Sequence, residues 1–348
     1  MNSQRLRATL ISGIVVTLAI AGLSSTQASA SQAASQKRAV VIVSGGAAIS
    51  PFTTPTAACK TGYSAGSTDT FMRSYLKARG LQVFTSPAMA GRGQVTDQGQ
   101  LGGPFGSCPK ALPAYMTVNS AGDIELAGVH LANFVNYIHD VYGITEVDFV
   151  AHSMGGLYSR SAIAYLKATK SPVKAKSLTT LGTPWGGAIF AQPTDPGNPK
   201  SSCDGFIVCE SLLDVFAASA PVVIVEDSPA QIAALNAANA GVLRDIPVTM
   251  IAGDAFTKPG SSSPIWPNDG IVSVPDALAA PVSDAAITHR RCYLYEGGTH
   301  SVYISKAAGL PESKAITWNS TTANWVYRAI ASSGKTMKTP NRVGCPAQ

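Results

Sequence analysis

The sequence predicts an α/β fold, a mostly parallel central sheet flanked by helices, and three observations carry that reading. The run Ala39-Val-Val-Ile-Val43 is apolar at successive positions and ends in Ser-Gly-Gly, the pattern of a strand covered on both faces. Stretches at helical spacing then alternate with short apolar runs, an order that puts parallel strands in the centre and crossover helices on both faces. The 348-residue chain is 45% hydrophobic and 13% charged, with 32 Gly and 22 Pro, which suits a sizeable core and excludes collagenous, coiled-coil and disordered classes.

Each element follows from local residues. Met1 to Arg7 is positively charged, Ala8 to Leu23 is almost wholly apolar, and Ala28-Ser29-Ala30 has the small-x-small pattern of a cleavage site. Residues 1–30 therefore read as a secretory signal peptide; an uncleaved anchor would need a longer apolar run. The remainder, 31–348, reads as one domain, secreted and extracellular. Ser67 to Arg79 predicts a helix stopped by Gly80, and Leu81 to Thr85 a short strand. Residues 86–118, rich in Gly, Pro and Gln, read as a long surface excursion. Asp123 to Tyr142 is the strongest helix, with Leu126, Val129, Phe134, Val135, Ile138 and Val141 at three- and four-residue steps and Gly143 closing it. Val147 to Ala151 is the next strand, Gly155 to Thr169 the next helix, and Ala175 to Leu181, Val248 to Ala252 and Cys292 to Tyr295 are further strands. Residues 187–244 break this rhythm and read as an insertion over one end of the sheet, either a lid or an extra packing subdomain.

Charge and cysteines narrow the function classes. The formal charge is +6, of which Arg5 and Arg7 in the signal segment supply two, and the only adjacent basic pairs are Lys37-Arg38 and Arg290-Arg291. A nucleic-acid binder concentrates its basic residues on one face, so no nucleic-acid partner is expected. The six cysteines suit disulfides in an oxidising compartment; they permit 15 pairings among which the sequence does not choose, and the set expected here is Cys59 with Cys108, Cys203 with Cys209 and Cys292 with Cys345. There is no C-x-x-C pair and no ligand pair at metal spacing, so no metal is assigned.

The chemistry begins after the strand ending at Ala151. Ala151-His-Ser-Met-Gly-Gly156 leaves a buried strand and opens a helix, the setting in which a small-x-Ser-x-Gly string becomes a nucleophile elbow. Such a string is weak alone; its strand-turn-helix context is what marks Ser153 as the nucleophile. A serine hydroxyl needs a base to take its proton and an acid to orient that base. His300 leaves the carboxyl end of a strand through Glu-Gly-Gly-Thr and is the better base, whereas His289 precedes that strand and belongs at the opposite end of the sheet. His130 and His139 sit on the helix before the elbow, and His152 is read as pointing away from the serine. For the acid, Asp269 in the Asn-Asp-Gly turn is favoured over Asp254, because a buried carboxylate needs the fixed donors a turn offers.

At this point the chain resembles the secreted bacterial lipases of the α/β-hydrolase fold, especially small ones with an Ala-His-Ser-Met-Gly-Gly elbow. Leu181-Gly-Thr-Pro-Trp-Gly-Gly187, Asn268-Asp-Gly270 and Gly298-Thr-His300 are similar to further family segments, and the likeness spans about residues 39–330. It implies a triad of Ser153, Asp269 and His300 and an oxyanion hole from the backbone N–H groups of Met154 and Gly46. The family usually shows His-Gly and an apolar residue where Ser44-Gly45-Gly46 stands here, so the register could instead give Ala47 that role. Pro184 and Trp185 could line the acyl pocket, with core packing the favoured role for Trp185. The implied function is a secreted serine hydrolase of carboxylic esters, most specifically a triacylglycerol lipase, acting on a lipid or other ester substrate and meeting lipid aggregates at their surface. No cofactor is assigned. A lid-less carboxylesterase or polyester depolymerase, an acyltransferase and a non-catalytic binding protein are the alternatives.

Overall fold

Seven strands run parallel in one sheet, in the spatial order β2-β1-β5-β6-β7-β8-β9. This is a computed structural model, and it describes residues 37–58, 70–95, 110–195, 197–333 and 341–346. In chain order the elements are β1 (Arg38–Val43), α1 (Phe71–Lys77), β2 (Val83–Thr85), β3 (Ala88–Met89), β4 (Val118–Asn119), α2 (Ile124–Tyr142), β5 (Glu146–His152), α3 (Gly155–Ala168) and β6 (Lys174–Leu181). The insertion then supplies α4 (Ile207–Ser219), α5 (Pro221–Glu226) and α6 (Pro229–Ala238). After it come β7 (Val248–Gly253), α7 (Val274–Ala277), β8 (His289–Tyr295), α8 (Val302–Ala307), α9 (Ser320–Ser332) and β9 (Asn341–Val343).

The alternation of side chains along β1 explains the layering. Ala39, Val41 and Val43 join the core beneath α2 and α3, with Leu131, Phe134, Leu157 and Tyr158. Val40 and Ile42 point the other way, to Met72 and Leu76 of α1 and Val326 and Ile330 of α9. A strand buried on both faces cannot alternate polar with apolar, which is why the run reads as continuous Val and Ile. Helix α2 is capped at both ends: the Asp123 carboxylate accepts from the Leu126 N–H at 2.7 Å, and Gly143, the stop the sequence anticipates, closes the helix at φ 70°.

One polar network crosses this core. Buried Asp148 on β5 accepts Nε and Nη2 of Arg38 at 2.6 and 2.8 Å and hydroxyls of Ser177 and Ser333, linking β1, β5, β6 and the end of α9. Four donors on one carboxylate satisfy a charge that would be costly to bury alone; beside it, the Arg38 guanidinium rises above its usual value through its hydrogen bonds to Asp148.

The structure departs from the sequence expectation in two places. Within residues 86–118, Ala88, Val95, Leu112 and Val118 are buried, and β3 pairs with β4, so part of the expected surface excursion is packed against the domain. Helices α7, α8 and α9 and strand β9 are additional elements. Strand β9 is only three residues long and pairs with β8 from His289 to Arg291, beside the Cys292–Cys345 disulfide. The Cys203–Cys209 bridge also forms; the pairing of Cys59 with Cys108 and the signal segment lie outside the described residues.

Because all seven strands are parallel, their carboxyl ends share one rim. The exits of β1, β5, β7 and β8 meet there, and they carry the residues singled out by the sequence.

Candidate active site

Ser153 sits at the exit of β5 with φ 55°, in the left-handed region that a residue with a Cβ enters only at a cost. Its neighbours hold it there: its N–H donates to the Leu181 carbonyl at 2.9 Å, and its own carbonyl accepts the Thr183 hydroxyl at 2.7 Å. The turn is tight enough to require glycines around it. A Cβ on Gly155 would fall 2.7 Å from the carbonyl oxygens of Val43 and Ser44, and one on Gly45 would fall 2.4 Å from the Ser153 Cβ. The strain has a measurable consequence: Ser153→Gly should be more stable than Ser153→Ala by about 1 kcal/mol, read by denaturant unfolding, because glycine takes φ 55° without penalty.

His300 and Asp269 are both buried and face each other, with the imidazole Nδ1–H donating to Asp269 Oδ2 at 2.8 Å. The other carboxylate oxygen, Oδ1, accepts the backbone N–H groups of Ile271 and Val272 at 3.0 and 2.8 Å. The Asn-Asp-Gly turn thus supplies the fixed donors that a buried carboxylate needs. With Nδ1 committed to the acid, Nε2 is the position left to accept a proton; it is buried and makes no hydrogen bond within the protein. Gly182, at φ 60°, leaves no space beside the pair: a Cβ there would lie 2.8 Å from both Asp269 Oδ2 and His300 Nδ1.

The rival residues have other partners. Asp254 accepts the Gly297 N–H at 2.6 Å and so braces the loop before His300 without touching its ring. His289 is buried at the first position of β8, at the far end of that strand from His300. His130 meets the Thr117 carbonyl and His139 meets Asp140, both away from the elbow. Trp185 is wholly buried, with Arg160 5.2 Å over its ring, and is core packing. Burial of that Arg160 guanidinium draws it down to about 10.

The two candidates for the second oxyanion donor differ in their surroundings. Ala47 donates its N–H to the Ser120 carbonyl at 2.8 Å, so that group is occupied. Gly46 lies against Met154, since a Cβ on it would fall 2.6 Å from the Met154 sulfur. Among the turn and loop backbone bonds of the described residues, neither Gly46 nor Met154 donates. Met154 is moreover the cap of α3, where N–H groups lack intrahelical acceptors and the helix dipole favours negative charge.

One contact beside His300 is not legible in the sequence. His152 is buried and its ring lies 4.5 Å from that of His300, with Nε2 2.9 Å from the His300 carbonyl oxygen. A position written as x in small-x-Ser-x-Gly gives no signal of such a contact, because the partner is 148 residues away in the chain.

The insertion packs beside this rim. Val223 of α5 lies 3.7 Å from where a Gly46 Cβ would be, and Glu226 accepts the Ile124 N–H at the start of α2. Its outer side exposes Ile207, Val215, Val222 and Val225. Its base is tied to the loop that precedes Asp269: Asp204 binds Lys258, Ser261 and Trp266, and Phe206 packs on Phe256 and Trp266. Those bonds, that to Lys258 first, draw the Asp204 carboxyl down to about 2. A depressed carboxyl adds stability that is complete above its unfolded value near 3.8 and is lost as pH falls toward 2. Limited proteolysis of the insertion should therefore quicken across that acid window in the wild type, and Asp204→Asn should be cut faster at neutral pH and lack the acid step; an unchanged cutting rate would contradict the tie.

Comparisons with known proteins agree with this chemistry in one segment. Residues 115–198, which include the elbow, match the family described as "Putative serine esterase (DUF676)". Comparison with curated protein sequences gives no match. Among solved structures, the chain is similar to a gene product of Listeria innocua at 14% identity, with 89% of this chain and 99% of that one covered and a TM-score of 0.47. It is similar to a mature-form lipase of Bacillus licheniformis at 16% identity, covering 84% and 91% with a TM-score of 0.47. It is also similar to an esterase of Pyrococcus furiosus at 11% identity, covering 85% and 82% with a TM-score of 0.46. The α/β-hydrolase assignment of the fold rests on this chain's own parallel sheet and elbow, and a match to a serine esterase family across that elbow supports ester hydrolysis as the class of reaction.

Proposed function

We propose that this protein is a secreted serine hydrolase of carboxylic esters, and most specifically a triacylglycerol lipase. The observation that carries the hydrolase reading is the buried His300–Asp269 contact of 2.8 Å at the same sheet rim as a serine held in a strained turn. In the mechanism, His300 Nε2 takes the proton of Ser153 as its oxygen attacks the ester carbonyl. The oxyanion is held by the N–H groups of Gly46 and Met154, each such donor being worth about 2.7 to 4 kcal/mol of barrier. His300 passes the proton to the leaving alcohol, and water then releases the acyl-enzyme by the same steps in reverse order.

The lipase reading is favoured over a lid-less esterase by the apolar outer side of α4 and α5, which suits contact with a water-insoluble substrate. Export is supported by the leader pattern of residues 1–30 and is compatible with the two disulfides. Two measurements test these statements. A fluorophosphonate should label the folded protein on the peptide containing Ser153, and absence of labelling would reject the hydrolase. Across a p-nitrophenyl ester series, the rate should jump where the substrate passes its solubility limit; a rate that follows only dissolved substrate would replace the lipase with an esterase.

A further inference from the structure

Building on the serine-hydrolase reading, we propose that His152 is a positioning residue that registers the base against the nucleophile by holding the backbone carbonyl of His300. His300 is gripped at three points. Its N–H donates to the Asp269 carbonyl at 2.8 Å, its Nδ1–H donates to the Asp269 carboxylate at 2.8 Å, and its carbonyl faces His152 Nε2 at 2.9 Å. The first two bonds come from the acid loop and orient the imidazole relative to Asp269 alone. The third comes from the residue peptide-bonded to Ser153, so it connects the base loop to the elbow.

A carbonyl can only accept, so His152 must donate from Nε2, which in its neutral form selects the Nε2–H tautomer. The two rings touch at 4.5 Å with their planes 47° apart, so His152 also forms a wall for the catalytic imidazole. Burial first, and then the neighbouring His300, hold His152 well below the ordinary imidazole value, and it stays neutral. Neutrality matters because the imidazolium formed on His300 during turnover would be opposed by a second positive charge at this distance. Lysine or arginine could donate the same hydrogen bond but would bring that charge. Glutamine can place an N–H near the same point without it, whereas phenylalanine fills the space and donates nothing.

The test compares wild type with His152→Phe and His152→Gln, using p-nitrophenyl butyrate for kcat and KM, thermal melting, and the downfield Nδ1–H proton of His300 by NMR in a Ser153→Ala background. The phenylalanine variant should lose about tenfold to hundredfold in kcat with little change in KM, the scale expected when a reacting group is slightly misplaced. Glutamine should recover most of that loss, and the Nδ1–H resonance should broaden by exchange in the phenylalanine variant but stay sharp in the glutamine one. Wild-type kcat in His152→Phe, or a glutamine variant as impaired as the phenylalanine one, overturns the proposal. Should His152→Phe not fold, His152→Asn, too short to reach the carbonyl, takes its place in the same comparison. A wild type that neither hydrolyses the ester nor reacts with fluorophosphonate sinks the hydrolase reading itself; the NMR comparison would still decide whether His152 holds His300.

Discussion

Ser153→Ala is expected to lower kcat/KM toward p-nitrophenyl esters by about 10⁵- to 10⁶-fold, the loss seen when a serine nucleophile is removed from a complete triad. The size of the effect follows from what stays behind. The proposed oxyanion donors on Gly46 and Met154 and the substrate contacts are untouched, and alone they would leave only a residual advantage of about 10³ to 10⁴ over water. The fold should survive, because the elbow is held by backbone bonds: the Ser153 N–H to Leu181 and its carbonyl to Thr183. Circular dichroism and the melting temperature should match the wild type. A variant that folds and still turns over ester would show that the hydroxyl at 153 is not the attacking group.

Asp269→Asn should cost about 10⁴-fold in kcat while leaving the loop intact. The asparagine oxygen can keep the Ile271 and Val272 N–H groups, which now go to Asp269 Oδ1. Its NH₂ group then faces His300 Nδ1, where a donor meets a donor unless the ring changes tautomer. The flipped tautomer carries its proton on Nε2 and cannot take one from serine. Water cannot relieve the conflict from the Gly182 side, since not even a Cβ fits there. Asp254→Asn is the control: its carboxylate braces Gly297, so this variant should stay within a few-fold of wild type. Equal losses in the two variants would mean that Asp269 serves the loop and not the base.

Much of this site is legible in the linear order of residues because its local requirements are severe. A strained serine needs Gly155 and Gly45 where backbones and the serine itself come within a Cβ's reach, and a buried carboxylate needs a turn such as Asn268-Asp-Gly270. A strand covered on both faces must be apolar at every position, so β1 could be recognised without knowledge of its neighbours. Elements with weaker local demands were not legible. Strand β9 has three residues and is an edge, and its pairing with β8 depends on a chain segment brought in from far away. The buried side chains within residues 86–118 were hidden among glycines and prolines, because burial there is decided by what packs on top and not by a repeating pattern.

The residue types and spacings by themselves determined the α/β class and the strand-turn-helix setting of the elbow, and they singled out Asp269 and His300, which the fold brings into contact. Only the tertiary structure decided that Ala47 spends its N–H on Ser120, that Trp185 is core, that Asp204 ties the insertion to the loop before Asp269, and that His152 meets His300. The reason is physical. Backbone strain, helical period and strand burial act within a few residues and leave a mark on the local sequence. A hydrogen bond between groups more than a hundred positions apart constrains only where two side chains end up, and many sequences of the same local pattern could place them elsewhere.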